Sequence, residues 1–265
     1  MHVFDTDIRV TQQDKGIFSG TISENWLINT TPNGGYIMAL IANAMMQFTT
    51  NRATPVITAN YLSRCRPGDF TITVSRIAQS TQFDRLQAQL TQDGEDRVFA
   101  TGMFGIRQDE CSLVRYETSP PEIQEREASF LVPSISTYTV YDNMNVILDP
   151  DCCGWINGRQ LSERSEHKGW ISFKEDRAFD IPAITLAADA FPPPILASQG
   201  LIAWVPTLEF SVNIRNLPRS KWLKCLFRTR FITCGLLEED GEIWDETNAL
   251  VAISRQIAQF RPIAS

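Results

Sequence analysis

Histidine is scarce in this chain: 265 residues hold two, His2 and His167. His2 is near the terminus, and His167 sits in the polar run Ser165-Glu166-His167-Lys168, which reads as a loop. A Ser-His-Asp or Cys-His nucleophilic site needs a positioned imidazole, and a zinc site usually needs several. Both classes are set aside, and no metal or cofactor is expected. The six cysteines, Cys65, Cys111, Cys152, Cys153, Cys225 and Cys234, form no Cys-x-x-Cys pair, so neither a metal-ligand spacing nor a redox motif is present. Incidental thiols of a reduced, cytoplasmic protein fit that pattern. No apolar run approaches the ~20 residues of a membrane span. The start, Met1-His2-Val3-Phe4-Asp5-Thr6-Asp7, lacks the basic opening and apolar run of a signal peptide. Positive charge is also short, with 24 Lys and Arg against 31 Asp and Glu, a net charge of −7. That balance argues against nucleic-acid or anionic-membrane binding, which needs a basic face, while leaving room for a local basic pocket.

The chain does hold enough apolar material for a sizeable core: 43% of residues are hydrophobic and 21% charged. Residues 2 to 12 and Ile17 to Trp26 read as strands. The cluster Asn29-Thr30-Thr31-Pro32-Asn33-Gly34-Gly35 is rich in turn and capping residues. It opens a run from Tyr36 to Phe48, apolar nearly all round but for Asn43 and Gln47, which predicts a buried helix. Four strand-like runs come next: Val56 to Leu62, Phe70 to Ala78, Arg85 to Thr91 and Val98 to Ile106. The last two are joined by the Asp93-Gly94 turn. One buried helix and the strands after it imply a sheet wrapped around a helix. Residues 107–135, charged and proline-bearing, read as a linker, and Thr137 to Leu148 resumes strand character.

The pattern then recurs. Gly20-Thr21-Ile22-Ser23 matches Gly169-Trp170-Ile171-Ser172 at an offset of 149, and the same offset carries the helix at 34–46 onto 183–195 and Thr58 onto Thr207. A repeat fixes architecture before other reasoning. The chain therefore divides into an N-terminal unit (1–106), a linker (107–135) and a C-terminal unit (136–265), related by a pseudo-two-fold.

The second copy of the helix, Ile181 to Ile195, is almost wholly apolar, is stopped by Pro192-Pro193-Pro194, and contains one acid, Asp189. Burying a carboxylate is costly unless something pairs with it or uses it. The alternatives are a functional acid and one bonded to local backbone. The repeat permits a comparison: the second half holds Asp189, Thr207 and Gln256 where the first holds Leu40, Thr58 and Phe104. An acid and an amide present in one half only point to one polar site. Gln256 is open to two readings, since its face alternates as Ser254, Gln256, Ala258 between the apolar Ile253 and Ile257.

The stretches Pro32-Asn33-Gly34-Gly35-Tyr36, Ala188-Asp189-Ala190-Phe191-Pro192-Pro193, Trp204-Val205-Pro206-Thr207-Leu208-Glu209-Phe210, and Trp244-Asp245 through Ser254-Arg255-Gln256 resemble those of the double-hotdog acyl-CoA thioesterases, the thioesterase-like relatives of bacterial acyl-CoA thioesterase II. The resemblance covers most of the chain. It implies an α+β double hotdog, two antiparallel sheets each wrapped around a buried helix, and hydrolysis of an acyl thioester such as acyl-CoA. It also implies roles in binding the nucleophilic water for Asp189, Thr207 and Gln256. Gly34 and Gly35, with Tyr36, are candidates for contacting substrate, the glycine N–H groups as donors to the carbonyl oxygen or simply as turn residues. Arg64, Arg66, Arg215, Arg219 and Lys221 are candidates for the phosphates of coenzyme A. Tyr36, Met38, Met45, Met46, Phe191 and Trp204 are candidates for an acyl tunnel or plain core. Exposed sheet edges lead to the expectation of a homo-oligomer. Three rivals remain: a hotdog dehydratase, which would want a histidine this chain does not place; a catalytically silent acyl-thioester or lipid-binding module; and release of an acyl product from a carrier protein.

Overall fold

The computed structural model describes residues 1–106 and 113–263; Cys111 and the first part of the linker lie outside them. The first half runs α1 (Val3–Asp7), β1 (Thr11–Asp14), β2 (Ile17–Ile22), a ribbon of β3 (Leu27–Ile28) and β4 (Thr31–Pro32), α2 (Gly34–Phe48), β5 (Ala53–Tyr61), β6 (Gly68–Gln79), β7 (Phe83–Gln92) and β8 (Glu95–Gly105). The second runs β9 (Phe130–Leu131), α3 (Val140–Asn143), β10 (Met144–Leu148), α4 (Gly154–Asn157), β11 (Glu166–Phe173), α5 (Ile181–Ala187), α6 (Ile195–Gln199), β12 (Ala203–Trp204), β13 (Thr207–Ile214), β14 (Leu223–Arg228), β15 (Ile232–Thr233), β16 (Leu236–Asp245), β17 (Leu250–Gln259) and β18 (Arg261–Pro262).

All the strands but β3, β4, β12 and β18 form one antiparallel sheet, in the order β1-β2-β6-β7-β8-β5-β13-β17-β16-β14-β11-β10-β9 with β15 paired to β16, while β12 pairs with β18 apart from it. Read outward from its middle, β5-β8-β7-β6-β2 on one side is matched by β13-β17-β16-β14-β11 on the other, so the pseudo-two-fold lies at the seam between β5 and β13. The two sheets expected from the repeat are thus joined edge to edge. At the seam Thr58 stands opposite Ser211, and its hydroxyl donates to the Ser211 hydroxyl at 2.9 Å. Pairing the halves here leaves neither of these two strands with an open edge.

Inside the curve of the sheet lie α2 and α5. The α2 helix packs on β6, β7 and β8, α5 packs on β13, and the two helices pack on each other. The apolar sequence of α2 explains its place: Ile37, Met38, Ala39, Leu40, Ile41, Ala42, Ala44 and Met45 are all fully enclosed, each large side chain contributing on the order of 1.5–3 kcal/mol by leaving water. Its two polar interruptions, one helical turn apart, are also used. Asn43 donates to the Ile8 carbonyl at 2.7 Å and Gln47 to that of Val10 at 3.3 Å, tying the helix to the N-terminal segment. The result is the α+β double hotdog.

Several local expectations are corrected. Residues 2–12 begin with a helix, because the His2 imidazole caps α1 by accepting the Phe4 N–H and Phe4 is driven into the core against Trp26. Thr137 to Leu148 opens with α3 before becoming strand. The end of the proline-bearing segment adds β9 to the sheet edge, paired with β10. Among the described residues no helix is long and apolar enough to cross a membrane.

Candidate active site

Asp189 comes to its position through the way α5 ends. The Asp180 side chain caps the helix by accepting the Ala183 N–H at 3.0 Å, and Pro182 occupies the first turn, where a missing N–H does no harm. The helix stops at Ala187, and Ala188 and Asp189 form a turn, with the Asp189 N–H donating to the Leu186 carbonyl at 3.1 Å. Asp189 is therefore just beyond the helix and not within it, a correction to the helix expected over Ile181 to Ile195. The triple proline removes three consecutive donors and disfavours helical backbone before it. His167 anchors the chain just past this turn. It lies on β11, fully buried, not in a loop. The Trp155 indole donates to its Nε2 at 2.9 Å, so the ring proton is on Nδ1, which donates to the Pro192 carbonyl at 2.9 Å. Burial pushes the imidazole down to about 4, so it is neutral, with both nitrogens engaged.

The acid of the second half meets the helix of the first. The Asn33 side-chain oxygen Oδ1 caps α2 by accepting the Tyr36 N–H at 2.9 Å, and its Nδ2 donates to Asp189 Oδ2 at 3.0 Å and to the Asp189 main-chain carbonyl at 2.8 Å. The Gly35 N–H donates to Oδ2 at 2.8 Å. Asp189 thus lies at the N-terminal end of α2, where the helix dipole favours a carboxylate. That approach requires glycine. A Cβ on Gly35 would come within 2.6 Å of the Thr185 carbonyl oxygen and 2.9 Å of the Asp189 Cβ. One on Gly34 would come within 3.0 Å of Asp189 Oδ2 and 3.2 Å of the Tyr61 hydroxyl, which donates to the Gly34 carbonyl at 2.7 Å.

Thr207 and Gln256 reach the same place from the sheet. Gln256 points inward and is 7% exposed, while Ile253 faces out at 42%. The Thr207 hydroxyl donates to Gln256 Oε1 at 2.6 Å, and Gln256 Nε2 faces Asp189 Oδ1 at 3.4 Å. The three side chains singled out on the second repeat are therefore contiguous. Burial pushes the Asp189 carboxyl up to about 6, held back by the Gly35 N–H, the Gln256 amide, the Gly34 N–H and Asn33. One oxygen, Oδ2, is saturated by donors, and Oδ1 has capacity left.

Other candidates fall elsewhere. Tyr36 does not face this site: its ring is fully buried against Trp26, its hydroxyl donates to the Asp7 carbonyl at 2.9 Å and accepts the Ser23 N–H at 3.0 Å. The Gly35 N–H is taken by Asp189 and is not free for a substrate oxygen. Arg64 and Arg66 come after β5 at the Thr207 end of the seam, whereas Arg215, Arg219 and Lys221 come after β13 at its far end, roughly 26 Å from Thr207 at ~3.3 Å per residue. Met38 and Met45 are fully enclosed core. Leu40 and Phe104 are fully buried too. The helix caps, Asn33 and Asp180, are 147 residues apart and not 149, which brings Ala42, equally apolar, to the place of Asp189. Asn33 and Tyr61 join the site without having been singled out from the sequence. Asn33 carried a signal, since a helix cap beside two glycines faces whatever the helix end faces; Tyr61, at a strand end, carried none. Among the described residues no group of three or more His, Cys, Asp or Glu side chains is arranged to hold a metal ion.

Known proteins share this architecture. The family model described as acyl-CoA thioesterase N-terminal domain matches residues 22–105, and that described as acyl-CoA thioesterase C-terminal domain matches residues 115–260. No curated protein matches the sequence. Among solved structures, a provisionally assigned thioesterase II from Thermobifida fusca is 21% identical, with a TM-score of 0.90 over 98% of this chain and 99% of that one. A protein of unknown function with hot dog fold from Alicyclobacillus acidocaldarius is 18% identical, with a TM-score of 0.88 over the whole of both chains. An acyl-CoA thioesterase II from Mycobacterium marinum is 14% identical, with a TM-score of 0.77 over 99% of each.

Proposed function

The chain belongs to the acyl-CoA thioesterase family, a family of thioester hydrolases, and we propose that it hydrolyses an acyl-CoA through a water activated by Asp189 and held by Thr207 and Gln256. The observation that carries this reading is the hydrogen-bonded run Thr207–Gln256–Asp189, ending on a buried carboxylate with one oxygen unsaturated. Oδ1 is the oxygen that takes a water proton. The Thr207 hydroxyl gives its own proton to Gln256 and keeps lone pairs to accept the other water hydrogen. The water oxygen is then oriented toward a thioester carbon, which saves the entropy of finding that orientation. An acid lifted to about 6 is ionised at neutral pH yet basic enough to accept a proton in the transition state. The C–O bond forms, the C–S bond breaks, and the proton taken by Asp189 passes to the departing thiolate, giving free acid and thiol. A homo-oligomer and a cytoplasmic setting belong to the same reading.

Thiol release from a panel of acyl-CoAs, short to long and aromatic, tests it. Wild type is expected to turn over at least one ester, and Asp189→Asn to lose on the order of a hundredfold or more in kcat, the usual scale of a general base. Unchanged turnover in the variant refutes the assignment. Absence of turnover on every CoA ester favours a carrier-bound substrate or a silent binding module, and loading the same acyl groups on a carrier protein separates those two.

A further inference from the structure

A second acid shares the enclosed space around Gln256. Three consecutive acids lie on β16, Glu238, Glu239 and Asp240, and strand alternation sends the middle one the other way. Glu238 and Asp240 face outward and meet arginines, Arg230 at 3.6 Å and Arg255 at 2.6 Å respectively. Glu239 faces inward, 7% exposed, and forms no ion pair among the described residues. The β16–β17 register sets it directly opposite Gln256, so the two side chains leave the sheet on the same face as a cross-strand pair. The Gln256 amide is the neighbouring polar group of Glu239 across the strand pair. The charged groups acting on it are all acids: Asp189 from the turn after α5, and Glu238 and Asp240 on its own strand. On the same face Leu237 packs against Ile195, Leu196 and Ala258, and the uncharged Ser254 hydroxyl lies opposite Gly241. A carboxyl so placed keeps its proton.

We propose that Glu239, in its protonated form, is a positioning residue of the hydrolytic site that holds the Gln256 amide with Oε1 toward Thr207 and Nε2 toward Asp189. The inference rests on the reading of Asp189 as base. A glutamine amide turned by half a rotation exchanges its donor and acceptor ends. In the turned state Oε1 would oppose the Asp189 carboxylate and would lose the Thr207 hydroxyl as its donor. Thr207 and Asp189 thus choose which end of the amide faces which, and the Glu239 carbonyl oxygen, by accepting the second N–H of Nε2, would fix the amide plane in that orientation. Ionisation of Glu239 would make it a stronger acceptor that draws the Gln256 amide away from Asp189, which slows the reaction. Burial pushes Glu239 up to about 8, placing that loss on the alkaline side.

The test compares wild type, Asp189→Asn, Glu239→Leu and Glu239→Gln in steady-state hydrolysis of the best acyl-CoA across the range from mildly acidic to alkaline pH. Glu239→Leu is expected to lose roughly tenfold or more in kcat with KM little changed, as misorientation of a water-holding group does. Glu239→Gln, which keeps a carbonyl acceptor and cannot ionise, is expected to recover most of that loss. It should also lack the decline that wild type shows above pH about 8. Wild-type kcat and pH profile in Glu239→Leu, beside an inactive Asp189→Asn, overturn this inference and leave the base assignment standing. An active Asp189→Asn overturns both. Where Glu239→Leu does not fold, the alkaline limb decides: its persistence in Glu239→Gln, or a Glu239→Gln enzyme as slow at neutral pH as one lacking Gln256, overturns the proposal.

Discussion

At the scale of single residues the site holds a carboxylate at a cost, and the cost has a pH signature. Asp189 is raised from its ordinary 3.8 to about 6 by burial. A raised acid binds its proton more tightly folded than unfolded. Its ionisation therefore destabilises the native state, fully above pH about 6 and not at all below 3.8. The lift corresponds to roughly 3 kcal/mol at most. Asp189→Asn is expected to melt several degrees higher than wild type at mildly alkaline pH, the difference vanishing near the ordinary carboxylate range, as followed by circular dichroism. A variant that loses activity without this stability gain would mean that the carboxylate is better solvated than its neighbours indicate. The same titration places an acid limb in kcat/KM near pH about 6, where the base takes up its proton.

At the scale of elements the decisive contact is the end of one helix against the end of another. Capped by Asn33, α2 aims its first N–H groups at a carboxylate carried just past α5, and only glycine at position 35 lets the two backbones approach. Gly35→Ala meets the Thr185 and Leu186 carbonyl oxygens at 2.6 and 3.0 Å, main-chain atoms that cannot swing aside. The expected outcome is a loss of about 1–3 kcal/mol, the usual scale of overpacking. A larger proportional fall in kcat should accompany it, because the strain is relieved by moving Asp189. Urea titration and hydrolysis rates together check it; a stable variant with full activity would show that the helix ends are not held as closely as described. His167 belongs to this scale as well: a neutral, fully bonded imidazole that ties β11 to the chain beyond Asp189, an architectural use in a protein with little histidine.

At the scale of the whole molecule the site exists only because two halves are joined. The Asp189, Thr207 and Gln256 side chains come from the second half, whereas Asn33, Gly34, Gly35 and Tyr61 come from the first. Each half alone would expose a long inner edge strand, β5 or β13, and the helix face that the other half covers. Residues 1–106 and 113–265 expressed separately are expected to be inactive and prone to aggregation, and to recover hydrolysis when co-expressed. Activity from the second half alone, measured in the same thiol-release assay, would contradict a composite site.

Periodicity and composition already determined a great deal. The apolar run of α2, the alternation of the strands and the recurrence of the pattern set two related helix-plus-sheet halves, because burial of apolar side chains is read directly from spacing, and the resemblance of four stretches to the thioesterases made those halves hotdogs. An acid in an apolar stretch, found in only one repeat, marked Asp189 on the same grounds. The tertiary structure decided what local pattern cannot express. Gln256 was ambiguous until the register of β13, β17 and β16 gave it an inward face. Tyr36 looked like a site residue by adjacency to Gly35, yet a helix turns successive side chains by about 100°, and its ring went to the core. Arg215, Arg219 and Lys221 are few residues from Thr207 in the sequence, but an extended strand turns that short separation into the whole length of β13. Above all, the carboxylate's stabilising partners lie some 150 residues away in the chain, and hydrogen bonds between distant segments leave no periodic trace for a single sequence to carry.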